Sequence, residues 1–337
     1  MIACFPGGGK TVAAILRVVS DSPAPAGKKP VVVCLVGPTA AGKTDVAMHL
    51  VERFPFDIIS VDSAMVYRHM NIGTAKPPTD VLARAPHRLV DILDPWESYS
   101  AGQFREDALR EIEDIFAAGR LPLLVGGTFL YFRALEQGLA DLPKADQAVR
   151  ARIDARAEQV GWAAMHAALA TLDPPTAARL KPTDRQRIQR ALEVIELSGE
   201  KMSDLHARGV SAPAEYEFLR VALLPSDRNA LHVRVEQRFD AMLEDGFVAE
   251  VERLRAMPLM SAECPSMRAV GYRQVWAYLE GRSDQSEATR QAVVATRRLV
   301  KRQLTWLRSE PVAAEFDCLQ PDVSAQAGHF VAGQIAD

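Results

Sequence analysis

Residues 31–44 read VVVCLVGPTAAGKT, which is a short apolar run followed by the pattern G-x-x-x-x-G-K-T. The run predicts a buried strand, and the helix-compatible residues 45–53 predict the helix that follows the loop. In such a strand–loop–helix unit, backbone N–H groups of the glycine-rich turn point at phosphate oxygens, and the positive end of the helix adds to the attraction. The sequence therefore predicts a P-loop that holds a diphosphate or a triphosphate.

Two side chains of the P-loop have separate expected roles. Lys43 is placed to bridge the outer phosphates, and the hydroxyl of Thr44 is placed to ligate a Mg²⁺ ion that also contacts them. A second G-K-T at residues 9–11 has Cys4 where the first glycine belongs and no strand before it, so we expect no phosphate site there. The predicted phosphate-binding residues are Gly37, Pro38, Thr39, Ala40, Ala41, Gly42, Lys43 and Thr44.

Composition limits the class of protein. The chain has 337 residues, of which 48% are hydrophobic and 25% charged, and this balance is ordinary for a soluble globular protein of one large domain or two. No uncharged apolar stretch approaches the ~20 residues of a membrane span, and we expect no signal peptide. The four cysteines are far apart and show no metal-ligand spacing, which favours a reducing compartment and argues against a zinc module. We therefore expect a cytoplasmic protein.

The order of strand and helix patterns predicts the fold. Strand patterns occupy residues 31–36, 57–61, 87–93 and 121–125, with helical stretches at 43–53 and 100–118 between them, and a further strand is expected at 216–224. This alternation predicts βα units and a parallel sheet with its binding crevice at the carboxyl ends of the strands. The predicted fold is α/β: a P-loop NTPase-like parallel sheet core, a mostly helical insertion domain and a helical C-terminal part.

The same patterns predict the domain boundaries. Residues 1–30 are expected to be a poorly ordered extension, and residues 311–337 a C-terminal tail. Between them, residues 31–140 form the first part of the core, residues 141–213 the helical insertion, and residues 214–310 the rest of the core with the C-terminal helices.

Two loops beyond the P-loop carry candidate chemistry. Asp62 follows the second predicted strand, where a carboxylate can order Mg²⁺-bound water, act as a general base, or merely cap the turn. Gly126, Gly127 and Thr128 end the fourth strand, where glycines allow close backbone approach to a ligand, although a tight turn explains them equally well.

Basic residues are concentrated in two stretches, 179–190 and 297–308, although the net charge is −3. Such stripes are what contacts to a phosphate backbone require, but the solvated face of an amphipathic helix explains them as well. Between them, Arg268 and Arg273 flank Gly271 and Tyr272. Near the end, Trp306 also fits a core position. A phosphate-binding core beside basic, aromatic-bearing segments suggests a polynucleotide as second substrate.

At these motifs the chain resembles the tRNA dimethylallyltransferases (isopentenyl-pyrophosphate:tRNA transferases) in their bacterial form. The resemblance covers about residues 31–308. A P-loop alone fits many enzymes, whereas Asp-Ser-Ala after the second strand combined with Gly-Tyr-Arg-Gln near the end is specific. The motifs that carry it lie at residues 37–44, 62–67, 71–77, 86–89, 124–128, 186–190, 268–273 and 301–308.

The resemblance implies a Mg²⁺-dependent transfer of the dimethylallyl group from dimethylallyl diphosphate to N6 of adenosine 37, in the anticodon stem-loop of tRNA. The products are N6-dimethylallyladenosine and diphosphate, and the enzyme is expected to be a monomer that binds no membrane. It implies Asp62 as general base, Lys43 and Thr44 as further catalytic residues, and Arg238 as a diphosphate ligand.

The resemblance also implies a larger set of tRNA-binding positions. They are Asp62, Ser63, Ala64, Met65, Thr128, Arg150, Gln186, Arg187, Ile188, Gln189, Arg190, Arg268, Ala269, Val270, Gly271, Tyr272, Arg273, Lys301, Arg302, Gln303, Leu304, Thr305, Trp306, Leu307 and Arg308.

The sequence departs from the family pattern in minor ways and leaves alternatives open. Ala41 stands where serine is common, the first thirty residues match nothing in the pattern, and the zinc finger of eukaryotic members is absent. One alternative is a P-loop small-molecule kinase that uses ATP, with Asp62 as the base on a hydroxyl. Others are an adenylate prenyltransferase that acts on free nucleotides, and a non-catalytic RNA-binding protein.

Overall fold

The computed structural model describes residues 29–209 and 214–335, and in these ranges the core is one parallel sheet of six strands in the order β3-β2-β4-β1-β5-β6. The extension predicted at residues 1–30 and the second G-K-T therefore lie almost entirely outside the described residues. The strands are β1 Val31–Val36, β2 Phe56–Val61, β3 His87–Arg88, β4 Leu121–Gly126, β5 Glu217–Leu224 and β6 Ala314–Asp317.

The helices alternate with the strands in the first third of the chain and dominate afterwards. Six of the described helices begin at a capping side chain: Ser100 forms a capping box with Gln103, and Asp146, Asp173, Asp184, Asp227 and Asp284 each accept a hydrogen bond from the first turn. The helices are α1 Lys43–Val51, α2 Thr79–Arg84, α3 Ala101–Ala117, α4 Phe129–Gln137, α5 Gln147–Val160, α6 Trp162–Leu172, α7 Pro174–Arg179, α8 Arg185–Ser198, α9 Met202–Ala207, α10 Arg228–Glu244, α11 Phe247–Arg255, α12 Tyr272–Leu279, α13 Gln285–Leu307 and α14 Val323–Ile335, with a 3₁₀ turn at Pro265–Arg268.

Strand β1 lies inside the sheet between β4 and β5, and both of its faces are covered. Val33 and Leu35 belong to one apolar cluster, which includes residues of α1 and α14. Cys34 and Val36 belong to the other, which includes residues of α3. A strand buried on both faces reads as a continuous apolar run, which is why the sequence identified it.

The register aligns the carboxyl ends of the inner strands. Gly126 of β4 pairs with Val36 of β1 on one side and with Val61 of β2 on the other, and Val36 also pairs with Ala222 of β5. The loops that follow β1, β2 and β4 therefore emerge at the same edge, as expected for a binding crevice in a parallel sheet.

The described residues divide into two compact units, one of residues 29–135 with 215–335 and one of residues 136–209 with 214. The first contains the sheet. The second consists of α5 to α9 around its own apolar cluster, in which Leu169, Ile188 and Ala191 are fully buried. The predicted insertion, residues 141–213, falls within the second unit, and the structural boundaries lie a few residues further out.

Two segments differ from the expected secondary structure. The third strand, expected over residues 87–93, is only His87–Arg88, because Leu89 and Asp91 adopt positive φ angles of 61° and 56° that turn the chain out of the sheet. Residues 311–337 were expected to form a tail, but their described part contains β6, which pairs with β5, and α14, whose Ala327 and Val331 are fully buried. This segment completes the core because it covers the edge of β5 and one face of α1.

Cys34, Cys264 and Cys318 are buried and are not joined in disulfides. Throughout residues 29–209 and 214–335 no helix has both the length and the apolarity to cross a bilayer.

Candidate active site

The P-loop lies between β1 and α1, and its lysine folds back onto it. Lys43 Nζ donates hydrogen bonds to the carbonyl oxygens of Gly37 and Pro38, at 3.0 and 2.7 Å. Gly42 has a φ of 73°, a left-handed conformation that glycine adopts without strain, and it provides no side chain to cap α1. The first N–H groups of a helix have no partner inside the helix, so this end is suited to bind an anion.

Arg238 of α10 is the second cation at the P-loop. Its Nη1 donates to Thr39 Oγ1 at 3.4 Å. Burial and, to a smaller extent, the positive charge of Arg238 lower the pKa of Lys43, the negative charge of Asp62 acts in the opposite direction, and the resulting pKa is about 8. Burial also lowers the pKa of Arg238, again opposed by Asp62. Two partly desolvated cations therefore lie close together with one carboxylate near both.

Asp62 occupies the turn after β2. Its Oδ1 accepts hydrogen bonds from the N–H groups of Ala64 and Met65, at 2.8 and 3.3 Å. The next residue, Ser63, donates its N–H to Thr128 Oγ1 at 3.1 Å, and Thr128 N–H donates to Val61 O at 3.2 Å. The structure thus joins the loops after β2 and β4, and it shows Asp62 capping its turn while remaining half-buried.

Gln303 of α13 connects the P-loop with the loop after β4. Its Oε1 accepts a hydrogen bond from Thr39 N–H at 3.0 Å, and its Nε2 donates to Gly127 O at 3.0 Å. A Cβ atom added at Gly127 would lie 2.5 Å from Gln303 Nε2, so only glycine permits this approach. The sequence suggested that Gly127 lets the backbone approach a ligand closely, whereas the group that approaches it in the structure is the side-chain amide of Gln303.

Glu250 of α11 holds the loop of residues 71–76. Its buried carboxylate accepts hydrogen bonds from the N–H groups of Asn71, Ile72 and Gly73 at 2.8–3.2 Å, and from Tyr272 OH at 2.6 Å. Lys76 closes the same loop, since its Nζ donates to Tyr67 O, Asn71 Oδ1 and Asp91 Oδ1. Two motifs that are far apart in sequence, at residues 71–77 and 268–273, therefore meet at Glu250.

The residues predicted at 268–273 differ in exposure. Arg268 and Arg273 are exposed, Ala269 and Val270 are half-buried, and Gly271 is buried with its N–H donating to Gln274 Oε1 at 2.9 Å. Tyr272 is fully buried, and burial together with Glu250 raises the pKa of its hydroxyl. Only the two arginines offer exposed side chains in this segment.

The residues predicted at 301–308 form two faces of α13. Gln303, Leu304 and Leu307 face inward and are buried. Trp306 is half-buried, stacked on Phe129 with ring centroids 6.5 Å apart. The exposed face consists of Lys301, Arg302, Thr305 and Arg308. The basic stripe is therefore the exposed face of an amphipathic helix whose opposite face packs in the sheet unit.

Two of the residues predicted in the helical unit, Arg150 and Arg190, meet at the carboxylate of Glu193. Arg150 donates to both oxygens of Glu193 at 2.9 and 3.1 Å, and Arg190 donates to Glu193 Oε2 at 2.8 Å. Burial alone would raise the pKa of Glu193, but these hydrogen bonds outweigh it and the pKa is lowered. Nearby, Ile188 is buried, Gln189 bonds Asp154, Arg187 pairs with Asp184, and Gln186 is exposed.

The sequence did not identify Glu250 as a functional residue, and it did not predict the contact between Gln303 and the P-loop. Both act through hydrogen bonds to backbone groups more than 170 residues away. No local pattern marks such a partner. The only available signal was the glycine at the receiving end, Gly73 or Gly127, where a side chain would collide.

Comparison with known proteins gives consistent matches over most of the chain. The family model described as IPP transferase matches residues 65–310. The chain is 59% identical over 296 residues to the tRNA dimethylallyltransferase of Paraburkholderia xenovorans, covering 87% of this chain and 94% of that protein. It is 57% identical over 306 residues to the one of Thiobacillus denitrificans, covering 91% and 97%. The crystal structure of the full-length tRNA isopentenylpyrophosphate transferase from Bacillus halodurans matches with a TM-score of 0.66 at 35% identity, covering 91% and 97%.

Proposed function

Because this chain belongs to the tRNA dimethylallyltransferase family, the IPP transferases, we propose that it transfers a dimethylallyl group from dimethylallyl diphosphate to N6 of adenosine 37 in tRNA. The chain is therefore a prenyltransferase. The products are N6-dimethylallyladenosine and diphosphate. With tRNA as acceptor, the reaction belongs in the cytoplasm, and one copy of the chain carries the P-loop, Asp62 and Arg238 together.

The P-loop binds the diphosphate of the donor in this proposal. Lys43, Arg238 and the N-terminal N–H groups of α1 surround one small region with positive charge. As the bond between the allylic carbon and the diphosphate oxygen breaks, negative charge accumulates on the leaving group. Fixed donors aimed at that charge in a partly desolvated site stabilise the transition state by several kcal/mol, about 3 kcal/mol for a single donor in comparable sites.

Asp62 is the general base. The adenine amine is a weak nucleophile because its lone pair is delocalised into the ring, so loss of a proton as the C–N bond forms lowers the barrier. The two N–H groups of Ala64 and Met65 both hold Oδ1. Oδ2 of the same carboxylate then takes the N6 proton.

The residues of the P-loop fit a Mg²⁺ ion. Among the described residues no three His, Cys, Asp or Glu side chains gather into a cage for a metal, but Mg²⁺ with phosphate substrates needs only one or two protein oxygens. The hydroxyl of Thr44, at the start of α1, is such an oxygen, and the carboxylate of Asp62 lies close to Lys43. When bound, the ion neutralises charge on the diphosphate.

The acceptor tRNA contacts exposed cations in this proposal. In the sheet unit these are Arg268, Arg273, Lys301, Arg302 and Arg308. An adenine in the unpaired anticodon loop leaves its stack at a cost of a few kcal/mol, and contacts to the RNA backbone offset this cost.

The single observation that carries the proposal is the proximity of Lys43, Arg238 and Asp62 at one edge of the sheet, in a chain of this family. The test incubates purified protein with Mg²⁺, labelled dimethylallyl diphosphate and unmodified total tRNA, followed by nuclease digestion and chromatography of the nucleosides. We expect label in N6-dimethylallyladenosine, lost in Lys43→Ala and retained in Glu252→Gln, an exposed substitution on α11.

A parallel reaction replaces the labelled donor by γ-labelled ATP. Transfer of phosphate to a small molecule, with no label in tRNA from the allylic donor, would refute the proposal and favour a kinase. Label on free adenosine monophosphate in the absence of tRNA would instead assign the activity to free nucleotides.

A further inference from the structure

We propose that Gln303 is a positioning residue that couples the tRNA-facing helix α13 to the P-loop, so that binding of one substrate changes the affinity for the other. The resemblance to the family placed Gln303 among the tRNA-binding positions, yet it is only 8% exposed. This inference rests on the proposed function, because it takes the ligand of the exposed face of α13 to be tRNA.

The side-chain amide of Gln303 has one fixed orientation. Its oxygen accepts from Thr39 N–H and its nitrogen donates to Gly127 O, both at 3.0 Å. Turning the amide over would place its NH₂ group against an N–H and its oxygen against a carbonyl. The two loops are thus held together by an amide that cannot rotate.

One peptide group links Gln303 to Lys43. The N–H of the peptide between Pro38 and Thr39 donates to Gln303 Oε1, and the carbonyl oxygen of the same peptide accepts from Lys43 Nζ at 2.7 Å. In a trans peptide these two groups point in opposite directions from one rigid plane. Gln303 therefore sets the plane that holds the lysine, and Thr39 N–H, being already bonded, is not aimed at phosphate.

A second set of contacts links α13 to Thr39. Arg297 of α13 forms an ion pair with Glu236 of α10, and Arg238, two residues further along α10, contacts Thr39 Oγ1. Thr39 is therefore held at its N–H and at its hydroxyl by two helices that are themselves paired.

The exposed neighbours of Gln303 are Lys301 and Arg302. A polyanion that contacts these side chains acts on the turn of α13 that carries the buried amide. Any shift of that turn moves the plane of the Pro38–Thr39 peptide, and with it Lys43. Because coupling between two binding sites is reciprocal, diphosphate at the P-loop must change the affinity for the RNA by the same factor.

The test measures the dissociation constant of inorganic diphosphate, with Mg²⁺, in the absence and presence of a saturating anticodon stem-loop RNA. In the wild type we expect the RNA to change this constant at least about fivefold, the lower end of ordinary coupling. In Gln303→Leu, which keeps the volume and removes both hydrogen bonds, we expect diphosphate alone to bind about tenfold more weakly. We also expect the RNA effect to vanish and the affinity for RNA alone to stay within about twofold. Gln291→Ala, on the same helix, serves as the control and should behave as wild type.

Gln303→Glu is the second variant, and it tests the positioning role of Gln303 if Gln303→Leu does not fold. The carboxylate keeps the acceptor for Thr39 N–H but opposes Gly127 O, whereas the protonated acid again donates to it. The ratio of its diphosphate constant to that of the wild type should fall toward one as the pH is lowered from 8 to 5.5. A structural role alone would leave this ratio flat.

Three results would overturn the inference. The first is a dissociation constant of diphosphate, in the wild type, that does not change when RNA is added, and the second is a Gln303→Leu variant that weakens RNA binding but not diphosphate binding. The third is a ratio of the diphosphate constants of Gln303→Glu and the wild type that does not change with pH. Label transfer by the wild type is recorded on the same preparation. Absence of transfer there refutes the proposed function, whereas transfer with unchanged diphosphate binding in the variants refutes only the role of Gln303.

Discussion

Raising the pH should weaken diphosphate binding because Lys43 loses its charge. Its pKa is lowered to about 8, so the ammonium group is about 90% charged at pH 7 and about 10% at pH 9. An anionic ligand favours the charged form, and the contribution of Lys43 to binding is therefore complete below about pH 7 and lost as the pH rises through 8. The expected loss between pH 7 and 9 is about tenfold in affinity, or about 1.4 kcal/mol.

The assay is titration calorimetry with inorganic diphosphate at pH 6 to 10, on the wild type and on Lys43→Ala. The ratio of the two dissociation constants cancels the ionisation of the ligand and leaves only the contribution of Lys43. A ratio that stays constant up to pH 10 would show that Lys43 keeps its ordinary pKa, and the argument from burial would be refuted.

Three substitutions probe other parts of the site. Asp62→Ala should lower kcat about 10²-fold or more while leaving tRNA affinity nearly unchanged, as measured by single-turnover transfer and filter binding. Charge removal at Lys301 and Arg302 together should lower the slope of log Kd against log salt by about 1.4, since each contact to unpaired RNA contributes about 0.7. Glu250→Gln should destabilise the fold by about 2–4 kcal/mol in urea titrations, because an NH₂ group would then face buried donors.

Each of these substitutions has a matched control. Asp62→Asn keeps the acceptor for the turn but not the base, so a near-wild-type rate in that variant would reduce Asp62 to a capping role. The double variant Arg282→Gln with Arg290→Gln changes two exposed arginines that are paired with nearby glutamates, and it should leave the slope of log Kd against log salt unchanged. An equal fall of the slope in this variant would mean that only overall charge matters. Glu252→Gln on the exposed side of α11 should not change the free energy of unfolding. Equal urea midpoints for Glu252→Gln and Glu250→Gln would contradict the role of the buried carboxylate.

The sequence predicted the strands that are buried on both faces and the first two helical stretches. The predicted α/β fold and the family are confirmed by the comparisons. β1 matches the predicted residues 31–36, and the helical stretch predicted over residues 100–118 is α3, Ala101–Ala117. β6 was missed because its four residues, Ala-Glu-Phe-Asp, alternate weakly and become a strand only by pairing with β5.

The site was predictable only as far as its local motifs. The P-loop and Asp62 sit at ends of strands, and a short pattern marks each. The contacts made by Gln303 and Glu250 depend on which distant backbone groups the fold brings to them, so the sequence marks them only by the glycines Gly127 and Gly73 at the receiving ends. The roles predicted for the individual tRNA-binding positions stay predictions.

The position of β5 imposes an order on the biosynthesis of this site. β1 lies between β4 and β5, and its pairing with β5 joins Val31 to Glu217, across the entire helical unit. The helices of that unit make contacts that are close in sequence and fold quickly, whereas the pairing of β1 with β5 waits until the later segment leaves the ribosome. A nascent chain that ends before β5 thus contains the complete P-loop sequence with one side of its strand unpaired. α13, with the amide that orients the loop, emerges later still. The diphosphate-binding motif is among the first elements of the described chain to be synthesised and among the last to reach its working geometry.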